Sequence, residues 1–152
     1  MDKAKVRRCL SPGMSLLVGS VDSQGQPAGC RAHGITSTDD LATLTVFVPA
    51  ATGQETLANV AATRRAAVTA TYPADHFSVQ LKGIVTGVRL ARDDERPIVD
   101  AGRASFAGEL DAFGVPRQVM DYVVHWPAYA IDVQVQEVYE QTPGPRAGVS
   151  LA

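Results

Sequence analysis

Cysteine, aromatics and nucleotide-loop motifs are scarce in this sequence, and each shortage closes off a class of chemistry. There are two cysteines, Cys9 and Cys30, in 152 residues. No C-x-x-C and no H-x-x-x-H occurs, which argues against a structural zinc site, and the two thiols are expected to be reduced rather than bridged. Neither G-x-G-x-x-G nor G-x-x-x-x-G-K-[ST] is present, so the common dinucleotide and nucleotide loops are missing. No stretch approaches the ~18 apolar residues of a spanning helix. The basic start runs into Cys9-Leu10-Ser11-Pro12-Gly13 rather than a signal-type apolar run, so a cytoplasmic location is expected, with no membrane partner. Fourteen basic against sixteen acidic side chains give a net charge of −2. That lacks the basic excess of a nucleic-acid binder. The one basic cluster, Lys3, Lys5, Arg7 and Arg8, reads as a solvated arm over residues 1–12 rather than a phosphate-contacting one.

The length fits one domain over residues 1–152 with one sizeable core. Ser15–Val21 and Pro27–Ile35 read as a hairpin across the turn Asp22-Ser23-Gln24-Gly25. Leu41–Val48 alternates, with Leu44, Val46 and Val48 on one face and Thr43, Thr45 and Phe47 on the other, the period of a strand. Thr52-Gly53-Gln54-Glu55 fits a capping box ahead of a short amphipathic helix, 53–63. Arg65–Tyr72 and His76–Leu90 are further strands. The longer one switches apolar parity at Gly83, which predicts a bulge or bend. Helices are expected over 93–107, with Pro97 in the first turn, and over 115–125, with Val119, Tyr122 and Val123 on one face. Tyr129–Tyr139 is the last strand, and Thr142-Pro143-Gly144-Pro145 opens a C-terminal tail, 142–152. Six strands with few helices make a mostly-β or α+β domain.

The order of these elements carries a resemblance. The hairpin, the third strand, the helix T-G-Q-E-T-L-A-N-V-A-A-T, the strand R-R-A-A-V-T-A-T-Y and the long strand F-S-V-Q-L-K-G-I-V-T-G-V are similar to the pyridoxamine 5′-phosphate oxidase-like family of FMN-binding split barrels. The likeness spans about residues 13–90. The closing E-V-Y-E-Q-T-P-G-P-R-A-G also looks like small members, whereas 93–125 matches poorly. It implies a six-stranded antiparallel split β-barrel, a homodimer, and FMN in a cleft between the subunits. It places Arg31 on the phosphate, with Ala32, His33 and Gly34 against the ring. Phe47, Val48, Gln54, Glu55 and Thr56 fall on the contacts of the third strand and helix start, and Ser78, or Gln80 in a slipped register, on the polar contact of the long strand. The family's basic residue at the helix start is absent, since no lysine or arginine lies between Arg31 and Arg64.

Each candidate also has a plainer role. Arg31 is as well suited to pairing with an acid on a neighbouring strand. His33 either meets the flavin edge, ligates a haem iron as in distant split barrels, or, the commonest case, is a buried hydrogen-bonded histidine. His76 follows a turn and is expected in solvent. His125 suits an interface or simple packing. Trp126 either covers the ring from the partner subunit or packs in a core or dimer contact. Asp93-Asp94-Glu95 reads as helix N-terminal charge rather than a metal site.

Two functions of different class follow. The first is a flavin-dependent oxidoreductase of unnamed substrate, in which the cofactor carries the electron chemistry and no nucleophilic or acid–base side chain is required. The second is a non-catalytic split-barrel dimer that binds flavin or haem weakly, or no cofactor. A dimeric structural protein without a small ligand stands behind both.

Overall fold

In a computed structural model, which describes residues 3–151, seven strands form one antiparallel sheet. They are β1 (Ser15–Val21), β2 (Pro27–Ala32), β3 (Gly34–Ser37), β4 (Thr43–Pro49), β5 (Arg65–Thr71), β6 (Ser78–Leu90) and β7 (Ala128–Glu140). The helices are α1 (Lys3–Cys9), α2 (Gln54–Thr63) and α3 (Arg96–Asp111), with 3₁₀ turns at Asp93–Glu95 and Arg117–Tyr122. The fold is mostly β with helices, as expected, but with seven strands instead of six.

The extra strand comes from a break in the run Pro27–Ile35. His33 belongs to neither strand, although its backbone N–H donates to the Phe47 carbonyl oxygen at 3.1 Å. The break has a large consequence. The sheet order is β2-β1-β5-β6-β7-β4-β3, so the two edge strands are consecutive in the chain. The sheet must curl until its ends meet at His33, a half-barrel.

Alternation builds the interior. Leu44, Val46 and Val48 point into one core with Val18, Val68, Leu81 and Val133, while Phe47 on the opposite face joins Val99, Ala128 and Ala130 beneath α3. The parity switch in β6 is a real irregularity, with register shifts against β7 at Lys82/Gly83 and Val85/Gly87. A Cβ at Gly83 would fall 2.0 Å from the Gln134 carbonyl oxygen, so only glycine permits this bend.

Three local expectations are corrected. The basic arm is a docked helix rather than solvated: Val6 and Cys9, one turn apart, are fully buried in the core. Lys5 pairs with Glu140 at 3.0 Å, and Arg8 pairs with Asp75. The capping box does not form. α2 starts one residue later than that box needs, its N-cap is Gly53, and no side chain caps it. Gly53 lies so close to β4 that a Cβ would meet Val48 Cγ1 at 2.1 Å. Finally, residues 115–125 are not an amphipathic α-helix. Only the 3₁₀ turn forms after Pro116, with Met120 buried and Val119 and Tyr122 turned to solvent. In the tail, Tyr139 bridges Ser150, folding the last residues back along β7. Among the described residues no helix is long and apolar enough to cross a membrane.

Candidate functional site

β2, the turn before α2 and the segment that follows α3 create the site between them. Arg31 and His33, two positions apart, leave the strand on the same side, opposite the core-facing Ala32. α3 lies over that side. It approaches closely because its Gly102 and Gly34 of β3 carry no side chains: a Cβ on Gly102 would sit 2.1 Å from the His33 carbonyl oxygen. Phe106 of α3 then lies under the Arg31 guanidinium, 5.4 Å from carbon to ring centre. Arg31 Nη1 also donates to Ser15 Oγ at 3.0 Å, across the β1–β2 pair. This serine is the partner of Arg31, in place of the acid that was the alternative.

After α3 the chain returns as a strap, residues 117–125, and encloses a cleft of about 370 Å³. β2 supplies Gly29, Cys30 and Arg31, and the break after it His33; the turn before α2 supplies Thr52; the strap supplies Tyr122, Val123 and Val124. The volume lies at the lower end of ordinary ligand sites, ~300–1,000 Å³. A second depression, about 450 Å³, lies on the outer face of the sheet and shares Gly29, Cys30 and Arg31, with Leu17, Thr69 and Gln80 beyond. Arg31 stands at the border of the two.

The strap is held from α3. Arg103 Nη1 donates to the Met120 carbonyl oxygen at 2.6 Å and lies 3.8 Å from Asp121. His125 Nε2 is 3.0 Å from Asp100 Oδ1, and its Nδ1 is 3.3 Å from the Val123 carbonyl oxygen. His33 is 5% exposed. Burial first, then the positive charges of His125, Arg31 and Arg103, pull its pKa down to about 4, so its ring is neutral at neutral pH. The Cys30 thiol is pushed up by burial, with a hydrogen bond from Thr56 opposing the rise. Both cysteines are free thiols.

The twelve candidate residues separate widely. Arg31 and His33 share the cleft, and Arg31 and Gln80 share the outer depression. Gln80 Nε2 donates to Thr69 Oγ1 at 3.0 Å. Ala32, Phe47 and Val48 are sealed in the two cores, and Gly34 is pressed against Ile98 and Val99. Gln54 and Glu55 are exposed on α2's first turn, while Thr56 is buried beside Cys30. Ser78 Oγ is within hydrogen-bond distance of Thr71 Oγ1 and the His76 carbonyl oxygen, 2.9 and 2.8 Å. Trp126 packs in the Phe47 cluster beneath the Arg96 guanidinium, 5.6 Å away, and does not line the cleft. Thr52, Arg103 and the strap residues Tyr122–Val124 were not among the candidates. Tyr122 and Val123 entered the sequence reading only as one face of an expected helix, and neighbouring His125 only as an interface or packing residue.

Solved structures share this architecture. A group A Streptococcus HupZ superposes with a TM-score of 0.58 at 16% identity, over 97% of this chain and all of that one. A putative pyridoxamine 5′-phosphate oxidase from Lactobacillus delbrueckii matches at 0.53 and 15%, over 91% and 93% of the two chains. The fold is that of the pyridoxamine 5′-phosphate oxidase-like proteins. An FMN-binding protein from Syntrophomonas wolfei matches at 0.53 and 9%, over 91% and 89%. No family model and no curated protein sequence matches the chain.

Proposed function

We propose that this chain is an FMN-binding, oxidoreductase-type protein, with the cofactor in the cleft between β2 and the strap and a second copy of the chain completing that cleft. The observation that carries the proposal is Arg31, an exposed cation at the mouth of a mostly uncharged cleft in a fold shared with an FMN-binding protein. The residues present fit a flavin in two respects. Gly29, Val123 and Val124 offer a narrow apolar slot for a planar ring, and Arg31 offers a charged donor to a phosphate. When bound, the flavin would supply the electron chemistry. The protein's share would be to orient the ring by β2, to hold the phosphate charge by Arg31, and to exclude water by the strap. A second copy is supported by the outer sheet face, where Leu17 is 45% and Val21 36% exposed around the small residues Gly19, Gly29 and Ala67. The intended compartment is the cytoplasm, and the substrate is left open.

A second reading keeps the dimer and removes the catalytic cycle. It is favoured by the first turn of α2, whose only charged residue is Glu55, unfavourable beside a phosphate. Titrating the protein into FMN and following flavin fluorescence separates the two. The first reading expects saturable quenching, and Arg31→Ala should weaken binding about 10–100-fold, the range for loss of a charged hydrogen bond. No quenching by the wild-type protein would leave the second reading.

A further inference from the structure

Two segments outside the cleft are tied to each other. α1 has seven residues, too few to hold helical form without docking. Its Val6 and Cys9 are fully buried in the main core, and Arg8 lies over the Tyr72 and Phe77 rings at 5.3 and 5.1 Å. The tail that follows β7 folds back along that strand. Gly148 N–H donates to the Glu140 carbonyl oxygen at 2.7 Å, and Leu151 N–H to that of Val138 at 2.8 Å. Leu151 packs against the same core cluster as Val6 and Cys9. One side chain then joins the two segments. Glu140 Oε2 accepts from Lys5 of α1 at 3.0 Å, and Oε1 accepts from Arg146 of the tail at 3.2 Å. That side chain is 4% exposed, and a buried carboxylate is stable only while its cations stay.

The connection from α1 to β1, residues 10–14, roofs a further cavity of about 200 Å³. His33 and Ile35 line one side of it, and Ile98 and Ala101 of α3 another. The roof hangs from α1: Leu10 N–H donates to the Arg7 carbonyl oxygen at 3.0 Å, and Ser11 N–H and Oγ donate to that of Arg8 at 3.3 and 2.6 Å. We infer that α1 and the tail open and close as one unit latched by the Glu140 carboxylate, and that this unit is a lid over the cavity beside His33. When α1 lifts, Lys5 leaves and water reaches the carboxylate. The remaining pair with Arg146 becomes an exposed one, worth little, and Leu151 loses part of the core it packs against. Opening at the tail weakens α1 by the same amount, because coupling between two equilibria is reciprocal. The latch acts whatever the cleft binds, and it gives the cavity a way in.

Three readouts on the full chain test this: labelling of Cys9 by iodoacetamide, resolved from Cys30 by peptide mass; amide exchange at Gly148 and Leu151; and broadening of the Ile35 and Ile98 methyl signals by a neutral nitroxide. Exchange at Val68, fully buried in the main core, reports loss of the whole fold. Glu140→Gln should raise Cys9 labelling and exchange at both tail amides about tenfold or more, broaden both methyl signals, and leave Val68 unchanged. The decisive variants act on one side only. Lys5→Gln should raise exchange at Gly148 and Leu151, and Arg146→Gln should raise labelling of Cys9, each by about 2–5-fold, the range of one partly exposed ion pair. If Lys5→Gln affects Cys9 alone, or Arg146→Gln the tail alone, the two segments move separately and the latch is overturned. Faster Cys9 labelling with unchanged methyl broadening overturns the lid. A rise at Val68 equal to that at Cys9 means that only the whole fold opens, and overturns both.

Discussion

His33 concentrates the tension of the molecule at one residue. Its backbone closes the curled sheet, while its side chain is buried at the wall of the cleft and held toward the neutral form. The folded value of about 4 lies below the ordinary 6.5, so as pH falls the unfolded chain binds the proton first. Stability contributed by the neutral ring is complete above pH 6.5 and is lost as pH falls toward 4, to a total of roughly 3 kcal/mol. Urea midpoints between these pH values should fall in the wild-type protein and change less in His33→Gln. Equal pH dependence in both proteins would show that His33 does not titrate in this way. Glu95 works in the opposite region. Arg89 holds it with two bonds of 2.7 Å, and its pKa is lowered to about 2. The stability it contributes is present above pH 4.5 and lost as pH falls toward 2. Because Arg89 is partly exposed, Glu95→Gln should cost about 1–3 kcal/mol at neutral pH, measured by chemical unfolding.

At the scale of elements, strands were legible where one face is buried and the other is not. β1 and β5 alternate in sequence as they do in the sheet, and Gly83 announced the bend in β6 because apolar residues change parity there. The break at His33 was not legible. Ala32, His33 and Gly34 are all buried, but by different layers, and a run buried on both sides has no period to interrupt. The strap misled for a related reason. Val119, Tyr122 and Val123 have helical spacing, yet Tyr122 is 87% exposed and only Met120 is buried. Its shape is set by partners distant in sequence, Arg103 and Asp100 on α3. The site divided along the same line. Arg31 was recognised from its strand, while Arg103 and the strap residues depend on how α3 packs. That packing can be tested at Gly102. A methyl there would meet a backbone oxygen that cannot turn aside, so Gly102→Ala should destabilise the protein by more than about 2 kcal/mol and loosen the strap. A stability equal to wild type would mean that α3 does not lie so close to the His33 backbone.

The whole molecule follows from one topological fact: the first and last strands of the sheet are joined by a single residue. Curling brings β3 under α3, and the segment that follows α3 provides one wall of the cleft. Long-range pairing of this kind has no local signal, which is why the class of fold was legible and the composition of its cleft was not. The same curl leaves the face of β1, β2 and β5 uncovered, with Leu17 and Val21 in solvent. Sedimentation should therefore give a dimer, and Leu17→Arg should shift it toward monomer. A wild-type monomer at the same concentrations would remove the shared cleft.

The most direct measurement is the absorbance spectrum of the protein after incubation with FMN and separation from free cofactor. The expected spectrum shows flavin bands that travel with the protein at one FMN per chain and are lost in Arg31→Ala. A colourless wild-type protein, with all the flavin in the small-molecule fractions, would contradict it.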